Sequence, residues 1–300
     1  MVQFLERADR EEQETAILYR TNQQGIRLSL DLYREGISFR FLDGVFDPFK
    51  RAYIRDILSF LRCSVRSSED EFIRIADKIL PLDRKTRRLL RRIDQSDTGM
   101  VSSAISGNIW SLFKFSGGKD LVSRLPEKIR KEAGKNDLRR LSELGRKIEG
   151  LRKMRPSVAM EFILYGCSYY ENILERPENC EEIISDIEEL EEMADKIGTC
   201  KDLLDFADGY SDFLKRGKRK TPVILGTLHS VKGMEFDNVI IPDLCSGVIP
   251  HARSMDDLEA ERRLFYVGVT RSRRDLLLIF PEVLNGQRMA ESPFVKNLNI

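Results

Sequence analysis

The sequence predicts an α/β fold in which a parallel sheet is interrupted by an all-helical insertion. Strand and helix patterns alternate over about residues 15–61, a long stretch of purely helical patterns follows, and short apolar runs typical of buried strands return after Pro222. A β-α-β-α order implies a parallel sheet, and here the sheet signal lies on both sides of the helical stretch. We therefore expect one discontinuous α/β domain and one inserted domain. Their expected bounds are residues 1–96 with 219–300 for the α/β domain and residues 97–218 for the insertion.

The first strand and helix are predicted close to the start of the chain. Residues 1–14 are polar and are expected to form a frayed end or a linker. Thr15–Arg20 has strand character, Asn22 is of a type that caps helices, and Gly36 is of a type that ends them. The next predicted elements are a strand over residues 38–42 and a helix opened by Asp47 and Pro48.

Helical spacing dominates the middle of the chain. Val158–Leu174 is predicted to be one long apolar helix, and Cys180–Ile197 an acidic amphipathic helix. The only tryptophan, Trp110, lies in a stretch rich in Ser and Gly, residues 102–118. The sheet pattern then returns with strands at Val223–Leu225, Val239–Ile241 and Leu276–Phe280, and with a helix at Asp257–Ser272 between the last two.

The balance of charges excludes an overall basic surface for binding nucleic acid. Lysine and arginine number 50, aspartate and glutamate 49, and the net charge is +1, so any such surface must be local. The five cysteines are scattered without metal-ligand spacing, which predicts free thiols, a reducing cytoplasmic location and no metal site. No apolar run approaches the ~20 residues of a membrane span, so no membrane partner is expected.

Three polar segments lie at the ends of predicted elements of the α/β part. In Tyr19–Asn22, a ring that can stack on a base is followed by an arginine that can bind a phosphate as a fork. Thr227–Glu235 has the side chains of an anion-binding loop, and its Gly233 allows a bend with positive φ. The third segment is the basic helix Glu261–Arg271. Each segment alone is more typical of an ordinary solvated loop or helix face than of a site.

Taken together, the three segments resemble motifs IV, V and VI of the UvrD/Rep/PcrA-like superfamily 1 DNA helicases, in order and in spacing. The resemblance rests on Ala16-Ile-Leu-Tyr-Arg-Thr-Asn22, on Thr227-Leu-His-Ser230 with Lys232-Gly233 and Glu235-Phe236, and on Arg262-Arg-Leu264 with Tyr266-Val-Gly-Val-Thr-Arg271. The helix after motif IV adds family-like residues at Phe49, Arg51, Ile54, Asp56, Leu61 and Arg62. The match covers about residues 15–80 and 221–281.

The resemblance implies a fold and a set of residue roles. The α/β domain would be the second RecA-like motor domain, called 2A, which is P-loop NTPase-like, and the insertion would be domain 2B. The ATP-binding residues implied are Tyr19 on adenine, Glu235 at the ribose, Gly268, and the catalytic pair Arg20 and Arg271 at the γ-phosphate. The DNA-binding or coupling residues implied are Thr227 and His229 toward single-stranded DNA, with Lys232 and Gly233 linking the two sites.

The sequence also departs from the family pattern. It contains no Gly-x-x-x-x-Gly-Lys-Ser/Thr and no Asp-Glu pair after a strand. We therefore expect the C-terminal part of a longer helicase, either an excised piece or a natural truncation. This part should be inactive alone, because the P-loop and the Mg²⁺ ligands are expected in an N-terminal RecA-like partner domain. Single-residue departures are Ile26 in place of an arginine, with Arg27 after it, Tyr53 in place of Glu, and Ser272 in place of Ala.

A basic run stands where the family carries a Gly-Ile-Gly turn. Six of the nine residues in Arg84–Arg92 are basic, and helical spacing puts Arg84, Arg87, Arg88 and Arg91 on one stripe. Two interpretations stay open. The stripe is either a solvated face paired with the acidic helix at residues 180–197 or a surface that binds duplex phosphates ahead of the motor.

The function that this pattern favours is that of the motor half of an ATP-dependent DNA helicase. The implied cofactor is ATP with Mg²⁺, the implied partners are single-stranded and duplex DNA, and the implied direction is 3′ to 5′. The alternative is a non-catalytic module that binds nucleic acid or a protein partner, such as a degenerate helicase remnant or part of a helicase-nuclease complex. A complete ATP-facing set of side chains favours the first function, because a pure binding module does not need one.

Overall fold

A five-stranded sheet and a group of packed helices form two separate units of the chain. The computed structural model describes residues 1–11, 13–42, 44, 47–66, 68–96, 131–174, 180–216, 221–284 and 286–296. The sheet unit comprises residues 1–47 and 210–300, and the helical unit residues 48–209. Residues 48–96 were expected in the α/β domain, but they belong to the helical unit. The boundary expected at residue 97 adjoins residues outside the described part, and the division into domains 2A and 2B stays a prediction.

All strands of the main sheet are parallel, in the order β2-β3-β1-β4-β5. They are β1 (Thr15–Tyr19), β2 (Phe39–Phe41), β3 (Val223–Thr227), β4 (Phe236–Ile241) and β5 (Ser272–Leu278). The central strand β1 pairs with β3 and β4, which follow the helical residues in the chain. This pairing confirms the predicted parallel α/β fold. A short antiparallel pair, β6 (Val283–Leu284) with β7 (Gln287–Arg288), was not predicted.

The helices of the described residues are numbered here in chain order. They are α1 (Val2–Arg10), α2 (Asn22–Arg34), α3 (Ala52–Arg66), α4 (Glu69–Ile79), α5 (Arg84–Ser96), α6 (Lys135–Leu151), α7 (Pro156–Glu161), α8 (Tyr169–Leu174), α9 (Cys180–Ile197), α10 (Cys200–Arg216), α11 (Leu258–Val269) and α12 (Pro293–Lys296). Short 3₁₀ turns lie at Pro48–Lys50 and Ala252–Asp257.

The core of the sheet unit lies between the strands and the helices that cover them. Every residue of β1 is buried, as expected for a parallel strand covered on both faces. Helix α2 packs on β1 and β3, and α11 packs on β4 and β5. One apolar cluster includes Leu18, Leu228, Phe236, Val239, Phe265 and Phe294. Burial of these side chains holds α11 and the loop after β3 against the sheet.

The start of the chain is a helix, so the prediction of a frayed end or linker over residues 1–14 is wrong. Helix α1 contains Leu5 and Ala8, each 2% exposed. Their three-residue spacing puts them on one face of a helix whose other residues are mostly polar. The high polarity of the segment obscured this short apolar stripe.

The cap of α2 lies one residue before the predicted one. Thr21, not Asn22, is the N-cap: its side chain accepts a bond from the Gln24 amide, and the Gln24 side chain accepts one from the Thr21 amide. This reciprocal pair is a capping box. Gly36 follows the helix with φ of 73°, which confirms its predicted place at the helix end.

The predicted long helix over Val158–Leu174 is broken into three pieces. Helix α7 runs into a π-helical turn at Phe162–Gly166, and Ser168, with φ of 57°, precedes α8. In the turn the Cys167 amide donates to the Phe162 carbonyl at 3.0 Å, one residue farther back than in an α-helix. Apolar composition alone does not distinguish this broken segment from a continuous helix. The amphipathic helix predicted over Cys180–Ile197 is confirmed as α9.

None of the helices in the described ranges is long and apolar enough to cross a membrane. The Ser- and Gly-rich stretch around Trp110 falls outside those ranges.

Candidate functional site

The first two polar segments meet at the ends of neighbouring strands. Tyr19, the last residue of β1, lies opposite Thr227, the last residue of β3. The chain then turns, and the Leu228 amide donates to the Tyr19 carbonyl at 2.8 Å. The loop that starts at Leu228 is therefore fixed to the strand that carries Tyr19 and Arg20, although about 200 residues separate them in the sequence.

Arg20 forms a fork with Glu261 in the first half of α11. Its Nε lies 3.1 Å from both carboxylate oxygens of Glu261, and its Nη2 lies 2.7 Å from Oε1. Nη2 also lies 3.4 Å from the Ser254 hydroxyl. Two of the three guanidinium nitrogens are thus held, and Nη1 makes no hydrogen bond to any described residue. A planar guanidinium bound in this way has a fixed orientation.

The carboxylate of Glu261 is ionised within a nearly buried site. Only 5% of its side chain is exposed, and 18% of that of Arg20. Burial alone would raise the pKa of Glu261, but the hydrogen bonds from Arg20 and from the His251 amide, with the positive charge of Arg20, lower it below its usual value. The negative form therefore persists at neutral pH and keeps Arg20 in place.

A second buried polar group supports the backbone at Arg20. Gln24 accepts bonds from the amides of Arg20 and Thr21 and donates to the carboxylate of Asp243 at 3.0 Å. Asp243 follows β4 with φ of 56° and also pairs with Arg27. The displaced arginine noted in the sequence thus binds the loop after β4. The Arg20 backbone is consequently fixed by two elements of the sheet unit.

The loop Thr227–Glu235 is anchored at its first turn and at the buried Val231, whereas residues 229 and 232–235 are exposed. The Ser230 amide and hydroxyl bond to Thr227, which closes the first turn. His229 and Lys232 are exposed. Gly233 is exposed and has φ of 83°, which confirms the predicted bend. The exposed side chains can therefore contact a ligand, and the anchored turn fixes the backbone from which they project.

The third segment packs directly on this loop. A Cβ atom at Gly268 would lie 2.4 Å from Leu228, so α11 approaches the loop as closely as only glycine permits. At the other end of the loop, Arg271 Nη1 donates to the Met234 carbonyl at 3.0 Å. Its Nε and Nη2 bond to Val267 and Thr270. The loop is thus held near its start by α11 and near its end by Arg271, which follows α11.

Two residues expected at the nucleotide occupy different surroundings. Tyr19 is 4% exposed, and its ring lies against Gly25, where an added Cβ would be 2.4 Å from the ring. Glu235 is exposed and pairs with Arg273 at 3.0 Å. The stacking of Tyr19 on adenine and the contact of Glu235 with ribose stay predictions.

The structure does not bring Arg20 and Arg271 together. Arg20 bonds to Glu261, the fourth residue of α11, whereas Arg271 follows the last turn of the same helix. Arg271 lies ten positions after Glu261, which would span about 15 Å if the helix continued to it. Arg20 follows the carboxyl end of β1, and Arg271 precedes the amino end of β5. Because the strands are parallel, the two residues lie at opposite ends of the strands.

The basic stripe of the helical unit is partly neutralised by a neighbouring helix. Arg87 and Arg91 on α5 both pair with Asp77 on α4, with nitrogen–oxygen distances of 2.9 and 2.8 Å. Arg84 and Arg88 are exposed. These two ion pairs go to α4 rather than to the acidic helix α9 named in the solvated-face interpretation. The binding of duplex phosphates by the stripe stays a prediction.

Three buried polar residues of the site were missed in the sequence: Glu261, Gln24 and Asp243. A signal for Glu261 was present, because Glu261, Phe265 and Gly268 are the buried residues of α11 and recur at helical spacing. A carboxylate on a buried stripe requires a cation. The spacing of Thr21 and Gln24 was likewise that of a capping box. Asp243 had no such signal.

Comparison with known proteins gives concordant matches. Residues 1–282 match the family described as the UvrD-like helicase C-terminal domain. The chain is 29% identical over 307 residues to the ATP-dependent DNA helicase srs2 of Schizosaccharomyces pombe, which covers 94% of the chain and 34% of the relative. It is 28% identical over 284 residues to the ATP-dependent DNA helicase PcrA of Bacillus subtilis, which covers 88% and 36%. The chain therefore spans about a third of the length of these relatives.

Proposed function

Because the chain belongs to the UvrD-like helicase C-terminal domain family, we propose that it is the C-terminal motor half of an ATP-dependent DNA helicase. In this role it supplies the second face of an ATP site and part of the track for single-stranded DNA. The relatives named above are ATP-dependent DNA helicases, which supports the proposal.

One observation carries the proposal: three segments far apart in the sequence are joined by direct contacts in the sheet unit. Leu228 bonds to Tyr19 and packs against Gly268, and Arg271 bonds to Met234. The loop Thr227–Glu235 is therefore the mechanical link between the segment with Arg20 and the segment with Arg271. A motor needs such a link, because a change at the nucleotide must move the groups that contact DNA.

We propose that Arg20 and Arg271 stabilise negative charge on the transferring phosphoryl group. Arginines brought across a cleft act mainly in the transition state, when that charge develops. Their present places at opposite ends of α11 imply that joint contact with one phosphoryl group requires a rearrangement. The rearrangement would fall on Arg271, because Arg20 is held by Glu261, and it would reach the loop through the bond between Arg271 and Met234.

Glu261 has the role of a positioning residue in this proposal. It holds Arg20 through Nε and Nη2 and leaves Nη1 for a phosphate oxygen. The fork fixes the plane of the guanidinium before nucleotide arrives, which lowers the entropic cost of the contact. Glu261 would thus act through Arg20 and not on the substrate itself.

The chain carries side chains whose chemistry suits an ATP site. Arg20 and Arg271 are cations suited to phosphate, and Glu235 is an exposed carboxylate suited to a ribose hydroxyl. Among the described residues there is no cluster of His, Cys, Asp or Glu that could hold a metal ion. Because the sequence contains no Gly-x-x-x-x-Gly-Lys-Ser/Thr, we assign the P-loop and the Mg²⁺ ligands to a partner RecA-like domain, where Mg²⁺ would neutralise phosphate charge. We infer that the chain alone does not hydrolyse ATP.

Opening of tailed duplex DNA tests the proposal. The chain joined to a P-loop RecA-like domain of the family should open a duplex with a 3′ single-stranded tail when ATP is present. The chain alone should open none. Opening of 5′-tailed duplex only would reverse the direction but keep the motor. ATP-dependent opening by the chain alone, or none by the joined protein despite DNA binding, would contradict the proposal and favour a non-catalytic binding module.

A further inference from the structure

A small cleft opens on the helical unit, between α7, the π-helical turn, α8 and α9. Its volume is about 270 Å³. The inner wall is apolar and includes Leu164, Ile173 and Ile187, which are buried. Cavities that enclose small-molecule ligands are usually about 300–1,000 Å³. The cleft is therefore better matched to one or two side chains of a protein segment.

Two tyrosines form one side of the cleft. Tyr165 in the π-helical turn is 62% exposed, and its ring centroid lies 5.3 Å from that of Tyr170. The extra residue of the π turn shifts the residues that follow it around the helix axis, and such turns recur at functional sites. An exposed tyrosine ring that packs on a half-buried one beside an apolar wall is typical of an interaction surface.

The opposite side of the cleft is negatively charged. Glu161 on α7 and Glu188 and Glu191 on α9 line it. Burial, followed by the negative charges of Glu161, Glu188 and Asp195, raises the pKa of Glu191 to about 7. Arg155 lies 4.0 Å from the neighbouring Asp195, and no described residue forms an ion pair with Glu161, Glu188 or Glu191. The carboxylates of the cleft therefore repel one another, and a cation from outside would relieve that repulsion.

From this arrangement we propose that the cleft binds an arginine side chain of a basic segment in a partner protein. The aliphatic stem packs on the inner wall, and the guanidinium lies between the ring of Tyr165 and the carboxylates of Glu188 and Glu191. Arginine fits better than lysine, because its planar fork pairs with carboxylates and stacks on aromatic rings. The phosphates of DNA do not fit, because three carboxylates face the opening. This proposal does not depend on the helicase function.

Fluorescence anisotropy with defined peptides tests the proposal on the 300-residue chain. The probe is fluorescein-labelled Gly-Ser-Leu-Arg-Leu-Ser-Gly, and its matched control has Glu in place of Arg. The double variant Glu188→Gln with Glu191→Gln should weaken binding of the Arg peptide at least tenfold. Tyr165→Ala should weaken it about two- to fivefold. Glu192→Gln, an exposed change on the same helix, should leave it unchanged.

Circular dichroism of each variant separates loss of binding from loss of folding, and Tyr165 is exposed enough for the Ala variant to fold. Equal binding of the Arg and Glu peptides, or no effect of the cleft variants, would overturn the proposal. Failure of the Arg peptide to bind at about 1 mM, a concentration at which even weak complexes form, would also overturn it. The chain could also self-associate without binding the peptide. If the cleft variants abolished that self-association, the occupant would be a second copy of the chain, and the proposal would be overturned.

Discussion

The Arg20 guanidinium and the Glu261 carboxylate, 241 positions apart in the chain, form a nearly buried fork with a shortest distance of 2.7 Å. The pair joins the end of β1 to α11. It therefore contributes to the fold of the sheet unit as well as to the candidate site.

Replacing one partner of this pair should destabilise the protein. Glu261→Gln leaves the charge of Arg20 without its counterion, and loss of one partner of a buried pair costs about 3–5 kcal/mol. Arg20 is 18% exposed, so we expect the lower value, about 3 kcal/mol, in urea unfolding. Glu259→Gln on the exposed face of α11 is the control and should cost less than about 1 kcal/mol. Equal costs for the two variants would show that the pair contributes no more than a surface contact.

Gly268→Ala should destabilise the sheet unit although alanine favours helices. Its Cβ would lie 2.4 Å from Leu228, which is 1% exposed and cannot move into solvent without exposing apolar surface. Overpacking of this kind costs about 1–3 kcal/mol. Gly150→Ala in α6 is the control, because the nearest atom to its Cβ is 3.8 Å away. Urea midpoints of the two variants would be compared, and a Gly268→Ala midpoint at or above that of Gly150→Ala would contradict the close packing.

The stability of the chain should depend on pH through Glu191. Burial and neighbouring carboxylates raise its pKa from 4.5 to about 7 in the folded state. Its protonated form therefore stabilises the fold fully below about pH 4.5, and this contribution is lost as the pH rises to about 7. Glu191→Gln should raise Tm relative to the wild type at pH 8, and the difference should shrink below about pH 5. A constant difference across this range, or the same profile for Glu192→Gln, would contradict the shift.

The basic stripe predicts sequence-independent binding of duplex DNA. Arg84→Ala with Arg88→Ala should weaken binding to all duplex sequences and reduce the slope of log K against log salt by about 0.9 for each lost phosphate contact. Arg139→Ala on α6, exposed and paired with Glu143, is the control. An unchanged slope in filter binding, together with unchanged affinity, would mean that the stripe is only a solvated face.

The parallel sheet and its interruption were predictable because buried strands have short apolar runs and because turn residues mark their ends. Gly233 and Gly36 were predictable for a similar reason, since each has a positive φ that favours glycine. The pairing of Arg20 with Glu261 was not predicted, because it is set by the packing of α11 on the sheet and not by local sequence. The break at Phe162–Gly166 was missed because a π turn keeps the composition of a helix.

The most direct test of the central claim is the rate of DNA-stimulated ATP hydrolysis by this chain joined to a P-loop RecA-like domain of the family. Arg20→Ala and Arg271→Ala should each lower kcat by roughly 10³-fold or more, with a much smaller change in KM for ATP, because these contacts strengthen in the transition state. Arg274→Ala, an exposed change on β5, should leave kcat unchanged. A kcat close to that of the wild type in both arginine variants, or a loss seen only in KM, would contradict the account.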